Sequence, residues 1–251
     1  MDETIAADLF LGGQLRLRQL PHGHRAGTDA VLLAAAAPKD DKGLTLDVGA
    51  GVGAAGLALA RLRPQLRFGL VENDPETAAL ARENLKLNGF TDRGAVYEAD
   101  VLDAAGREAA GLTDGSAALV ITNPPFLDPA RARLSPDPGK RAAHAMPAAG
   151  SGALADWLAA CLALVADGGS LILIHRPEAL PIILGALDTR AALTLMPVQA
   201  RADRGAIRIL VRAQKGGRTP LAIAPPLVLH DGAQFSVQAE ALHRGTALID
   251  W

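Results

Sequence analysis

The chain has 251 residues, 49% of them apolar and 21% charged, with a net charge of −2. That length and balance support a packed core of one to two domains and exclude wholesale disorder. The near-neutral charge excludes a protein that coats nucleic acid over its whole surface, while leaving room for one basic face.

Cys161 is the only cysteine, so no intramolecular disulfide or multi-thiolate metal site is expected, and a reducing compartment fits. No apolar run approaches the roughly 18 residues of a membrane span, so no membrane association is expected. The opening MDETIAAD is acidic where an export signal is basic, which predicts a cytoplasmic protein.

Residues 9–20 alternate apolar and polar around Gly12-Gly13, the pattern of a hairpin. A turn-like stretch, His22–Asp29, leads into the run AVLLAAAA, a helix with Thr28 or Asp29 as its N-cap and Pro38 just past its end. Strands are then predicted over 44–48, 68–72, 95–100, 117–122 and 170–175. Between them fall helices over 54–62, 75–87 and 154–165, the last stopped by Asp167-Gly168-Gly169. This alternation predicts an α/β fold with a Rossmann-like, mostly parallel, doubly wound sheet. Residues 193–198 and 206–213 read as an antiparallel pair at one edge. A hairpin and helix over 1–37 are expected to pack on a single structural unit spanning 38–251.

Asp47-Val48-Gly49-Ala50-Gly51-Val52-Gly53 follows the first of these strands and opens a helix, where glycines permit close backbone approach to a ligand. Glu72 ends the next strand, where its carboxylate can accept from the ribose hydroxyls of a nucleoside cofactor. Gly51-Val52-Gly53-Ala54-Ala55-Gly56 also matches the dinucleotide fingerprint, so an NAD-dependent dehydrogenase and a merely tight turn stay open at this point. Asp47 favours S-adenosylmethionine, because a carboxylate there suits a cationic cofactor and repels a pyrophosphate.

Asn123-Pro124-Pro125-Phe126 follows the fourth of these strands, where doubly wound sheets bind ligands. It is either a proline-stiffened turn or a device for activating a planar amine. The lone pair of adenine's exocyclic nitrogen is delocalised into the ring. If the Asn123 side-chain oxygen and the Pro124 carbonyl each accept one N–H, the nitrogen rehybridises and aims that pair at an electrophile. The prolines hold the carbonyl still, and Phe126 offers a stacking face worth about 1–3 kcal/mol.

With these residues the chain resembles a class I S-adenosylmethionine-dependent methyltransferase of the N6-adenine type. More closely, it is similar to the bacterial tRNA1(Val) adenine N6-methyltransferase family. The resemblance is carried by QLPHGHRAGTDAVLLAAAAP, LDVGAGVG, VENDP, the EAD at 98–100, NPPF, QKGG, APPLVLH and FSVQAEALHRG. NPPF alone is shared with enzymes that methylate guanine N2 or protein glutamine, so these are rivals within the class, and a cofactor-binding protein without catalysis is one outside it. The resemblance implies S-adenosylmethionine as cofactor and tRNA as partner. It also implies that Asp47 and the backbone of Gly49, Gly51 and Gly53 form the methionine end of the site, with Glu72 on the ribose. Asp100 would accept from the cofactor's adenine amine or is a plain loop carboxylate. Thr28 and Asp29 would close over the methionine or simply cap their helix. The stretch after NPPF departs from the family, reading KRAAHA at 140–145 where Arg and Glu are expected in place of alanines.

Arg131, Arg133, Lys140 and Arg141 follow the tetrapeptide and are candidates for gripping a flipped nucleotide. Residues 201–218 hold six basic residues against one acidic, either an RNA contact or a charged, aggregation-blocking edge. His22 and His24 lack partners at metal-ligand spacing, so no metal is expected.

Overall fold

Alternating apolar runs and punctuating glycines build a three-layer αβα molecule, described by a computed structural model over residues 6–20, 25–38, 43–125 and 151–251. The strands are β1 (Ala7–Phe10), β2 (Leu15–Arg18), β3 (Leu44–Val48), β4 (Arg67–Glu72), β5 (Gly94–Glu98), β6 (Ala117–Thr122), β7 (Val165–His175), β8 (Ala191–Gln199) and β9 (Ala206–Lys215). Four two-residue strands follow: β10 (Ala222–Ile223), β11 (Leu227–Val228), β12 (His230–Asp231) and β13 (Gln234–Phe235). The helices are α1 (Thr28–Ala35), α2 (Ala54–Leu62), α3 (Pro75–Leu87), α4 (Ala104–Ala109), α5 (Ser151–Leu164), α6 (Leu180–Leu187) and α7 (Val237–His243).

The main sheet runs β10-β8-β9-β7-β6-β3-β4-β5, with β11 also on β8. Strands β5, β4, β3, β6 and β7 are mutually parallel, while β9 is antiparallel to both β7 and β8. The expected antiparallel pair is present, extended to 191–199 and 206–215, with β9 inside the sheet. On one face, leucines of α1, α2, α3 and the hairpin, among them Leu11, Leu15, Leu33 and Leu57, bury against Leu119 and Ile172. On the other, Trp157, Leu158 and Ile183 of α5 and α6 bury against Leu46, Val120 and Leu171.

Two expected boundaries move. Helix α1 is capped by Gly27, and neither Thr28 nor Asp29 caps it, because both side chains are drawn into contacts with distant residues. Asp167-Gly168-Gly169 does not stop a helix; α5 passes directly into β7, which contains all three residues. The freed carbonyls there find donors, Gly115 N–H on Ala163 at 2.8 Å and Lys215 Nζ on Val165 at 2.6 Å. The extra residues are taken up where the β6–β7 register shifts, from Ala117↔Val165 to Leu119↔Ser170.

Asn84, fully buried on α3, fastens the hairpin to the centre of the molecule. Its Oδ1 accepts from Arg18 N–H at 2.7 Å, and its Nδ2 donates to the carbonyls of Arg18 at 2.9 Å and Val52 at 3.0 Å. Asn84→Ala strands these backbone groups and is expected to cost about 2–3 kcal/mol, read as a lower urea midpoint. An unchanged midpoint would contradict this role.

Candidate active site at the carboxyl ends of the strands

Val48 pairs with Thr122 and Val71, so the glycine loop, the Asn-Pro-Pro segment and the end of β4 meet at one level of the sheet. Gly49, Gly51 and Gly53 all take left-handed backbone angles, with φ of 69°, 56° and 90°, which side-chain-bearing residues adopt at a cost. A Cβ on Gly51 would meet nothing within 4 Å, so the loop's outer side offers room for a ligand, whereas one on Gly49 would strike the Trp157 ring at 2.8 Å.

Glu72 shapes this loop. Its Oε2 accepts from Gly51 N–H at 2.8 Å, and its Oε1 accepts from the N–H groups of Asn73 and Asp74, both at 2.9 Å. Two lone pairs on each oxygen leave one free, on Oε2, so a first ribose hydroxyl fits and a second displaces the Gly51 N–H. Asp47 stands behind the loop. It is buried at 3% exposure, and its Oδ2 accepts from Gly56 N–H at 2.7 Å at the start of α2. Burial pushes its carboxyl from 3.8 up to about 7; the neighbouring Glu72 adds to the rise and the Gly56 N–H opposes it.

Thr122, the last residue of β6, is the joint of the site. Its hydroxyl donates to the Val48 carbonyl at 2.8 Å and accepts from Trp157 Nε1 at 3.0 Å, all within the core. Trp157 thereby supports both the Asn123 segment and Gly49. Nothing in the sequence distinguished it from a filler of the helix face, because its partner lies 35 residues upstream on a neighbouring element. The next residue, Asn123, holds its side-chain Oδ1 buried and without a hydrogen-bond partner among the described residues. Pro124 is buried and Pro125 exposed. At the end of β7, His175 is buried, and that burial lowers its imidazole pKa.

The remaining expected residues are distributed as follows. Thr28 Oγ1 lies 3.1 Å from His243 Nε2, and His243 Nδ1 donates to the Ala239 carbonyl. Asp29 Oδ2 accepts from Arg208 Nε at 2.9 Å, an ion pair joining α1 to β9. Asp100 follows β5 at the same rim, its Oδ1 accepting from Leu102 N–H at 2.9 Å in a local turn. Phe126, Arg131, Arg133, Lys140, Arg141, the 140–145 stretch, His22 and His24 lie outside the described residues. Among the described residues no helix is long and apolar enough to cross a membrane, and no group of three His, Cys, Asp or Glu could hold a metal ion.

Sheet order, glycine loop, rim acid and Asn-Pro-Pro together define a class I S-adenosylmethionine-dependent methyltransferase fold. A family model described as "Methyltransferase small domain" matches residues 25–138. A tRNA1(Val) (adenine(37)-N6)-methyltransferase of Porphyromonas gingivalis is 37% identical over 127 residues, 49% of this chain and 49% of that protein. The matched stretch thus spans about half the length of that relative. A protein of the same description from Aeromonas hydrophila is 32% identical over 203 residues, covering 76% of this chain and 77% of its own. Among solved structures, a predicted O-methyltransferase from Agrobacterium tumefaciens superposes with a TM-score of 0.73 at 33% identity, over 88% of this chain and 98% of that one. The chain belongs to the tRNA1(Val) adenine N6-methyltransferase family, whose methyl donor is S-adenosylmethionine. The residues present fit that cofactor: an open glycine loop and a rim carboxylate with a spare lone pair.

The Asp47 carboxyl gives the fold a measurable pH signature. Its folded pKa lies above its unfolded value, so the folded state keeps a proton that the unfolded chain releases between about pH 4 and 7. Stability therefore falls as pH rises through that window and levels off above it, by up to about 4 kcal/mol. Asp47→Asn keeps an acceptor for Gly56 N–H and is expected to remove most of this slope in urea titrations at pH 5 and 7.5. An equal slope in both proteins would contradict the assignment.

Proposed function

We propose that this chain methylates the exocyclic N6 of an adenine in tRNA, in the cytoplasm, and that the adenine is position 37 of tRNA1(Val), as its relatives' names describe for them. The observation that carries this reading is the buried Asn123 Oδ1 beside the glycine loop, which has no hydrogen-bond partner among the described residues. An orphaned acceptor costs about 1–3 kcal/mol, a debt discharged when a substrate N–H arrives. S-adenosylmethionine supplies an electrophilic methyl on a cationic sulfur.

The protein's own part is orientation. Asn123 Oδ1 and the Pro124 carbonyl accept the two N–H groups of the amine, which turns its lone pair out of the ring plane. Pro124 and Pro125 keep that carbonyl from yielding, and Phe126 stacks on the base. The backbone of Gly49, Gly51 and Gly53, with Asp47 behind it, receives the methionine end of the cofactor. Glu72 holds the ribose and Asp100 the adenine amine. Thr28 and Asp29 border the methionine, acting through the positions that His243 and Arg208 fix for them. Arg131, Arg133, Lys140 and Arg141 grip phosphates beside the flipped nucleotide.

Labelled methyl transfer to total tRNA, rRNA and protein, followed by hydrolysis, reads the reaction directly. Label is expected as N6-methyladenosine from tRNA. Label only in N2-methylguanine or methylglutamine would move the chain to a sister activity. Asn123→Ala is expected to cut turnover by roughly 10²–10³ while cofactor affinity barely moves. A variant keeping more than about a third of wild-type turnover would refute the role given to this residue.

A further inference from the structure

We propose that the β8–β9 turn and the rings of His230, Phe235 and His243 form a second RNA contact, a platform that holds an unpaired base and its flanking phosphates beside the methylation site. This rests on the reading of the substrate as RNA.

The structure separates the six cations of residues 201–218. Arg208 is paired with Asp29, the Arg212 guanidinium lies 5.3 Å from the Trp251 ring centroid, and Lys215 donates to the Val165 carbonyl. Arg218 is exposed but follows the far end of β9, at the opposite rim of the sheet. Arg201 and Arg204 are left exposed in the turn after β8, and Arg204 makes only a loose 3.8 Å approach to Asp203.

The rings are brought to this same turn by the backbone. Leu229 N–H donates to the Gln199 carbonyl at 2.9 Å and His230 N–H to the Ala200 carbonyl at 3.0 Å. His230 pairs with Phe235 across β12–β13, and their rings stack at 4.9 Å with planes 16° apart. Phe235 stacks in turn on His243 at 4.3 Å and 22°. Phe235 nevertheless remains 37% exposed and the adjoining Val237 90% exposed. Two concavities, of about 690 and 540 Å³, meet at the Phe235 ring. Each is within the range that takes a small planar ligand. Thr28, at the start of α1, lines the larger one.

Exposed aromatic surface flanked by arginines suits single-stranded nucleic acid, since every base has a face to stack and guanidinium forks match phosphate. The location fits as well. Strand β8 ends on the same side of the sheet as β6, because both of them and β7 run parallel while β9 alone is reversed. Three inter-strand steps separate β8 from the Asn123 strand, about 14 Å, a gap that a few loop nucleotides cover.

The test measures equilibrium binding of the full chain to a tRNA transcript, and to a perfectly paired RNA duplex of equal length, at fixed salt. Affinity for S-adenosylhomocysteine and sedimentation are measured in parallel. Phe235→Ala, and the pair Arg201→Ala with Arg204→Ala, are each expected to weaken tRNA binding about tenfold. Cofactor-product affinity should stay unchanged in the arginine pair, and duplex binding should be indifferent to Phe235→Ala. If Phe235→Ala does not fold, the exposed arginine pair decides. Wild-type tRNA affinity in the variants would overturn the platform while leaving the methylation reading intact. So would a change confined to sedimentation, which would mark the patch as a contact between copies. A wild-type chain that binds no RNA would overturn both.

Discussion

One buried hydroxyl sets the geometry of the site. Thr122 Oγ1 donates a hydrogen bond to the Val48 carbonyl and accepts one from Trp157 Nε1, so the ends of β6 and β3 are locked at one level by a group that water does not reach. The residue after Thr122 presents an amide oxygen without a partner among the described residues, and the residue after Val48 opens the glycine loop. Hydrogen bonds of this kind are worth little net, but leaving their buried groups unpaired is expensive, so the chain has few alternatives to this register. Gly49 has no Cβ and lies against the Trp157 ring, which extends the same support to the cofactor side.

The loop itself is held by carboxylates used as acceptors of backbone N–H groups. Asp47 anchors the first turn of α2 from below and Glu72 ties Gly51 from the rim. Both are candidate cofactor residues, yet in this fold they first serve the shape of the loop. Asp47 is driven toward neutrality by its burial, and the approach of a cationic cofactor favours its ionised form.

Much of this architecture was legible in the sequence because glycine and proline punctuate it. Gly49 to Gly53 and Pro75 bound β3, α2 and α3 at the expected residues, and Asn123 stands where a strand-end ligand site is expected. What escaped the sequence depends on long-range partners. Thr28 and Asp29 read locally as caps, but their partners, His243 and Arg208, lie 215 and 179 residues away. Asp167-Gly168-Gly169 reads as a helix stop, but donors from Gly115 and Lys215 let the strand absorb it as an irregularity. The short β10 to β13 pairings carry too few residues for any alternation to show. The basic run at 201–218 is neither wholly an edge nor wholly a contact; its members divide according to which end of β9 they occupy and what each one meets.

The central claim is that the Asn123 oxygen acts as a hydrogen-bond acceptor for the target amine. Single-turnover methylation of tRNA, at saturating cofactor and RNA, compares Asn123→Asp with Asn123→Ala most directly. A carboxylate keeps an acceptor at the same place, so the account predicts that Asn123→Asp reacts at least about tenfold faster than Asn123→Ala. Equal rates in the two variants would contradict it.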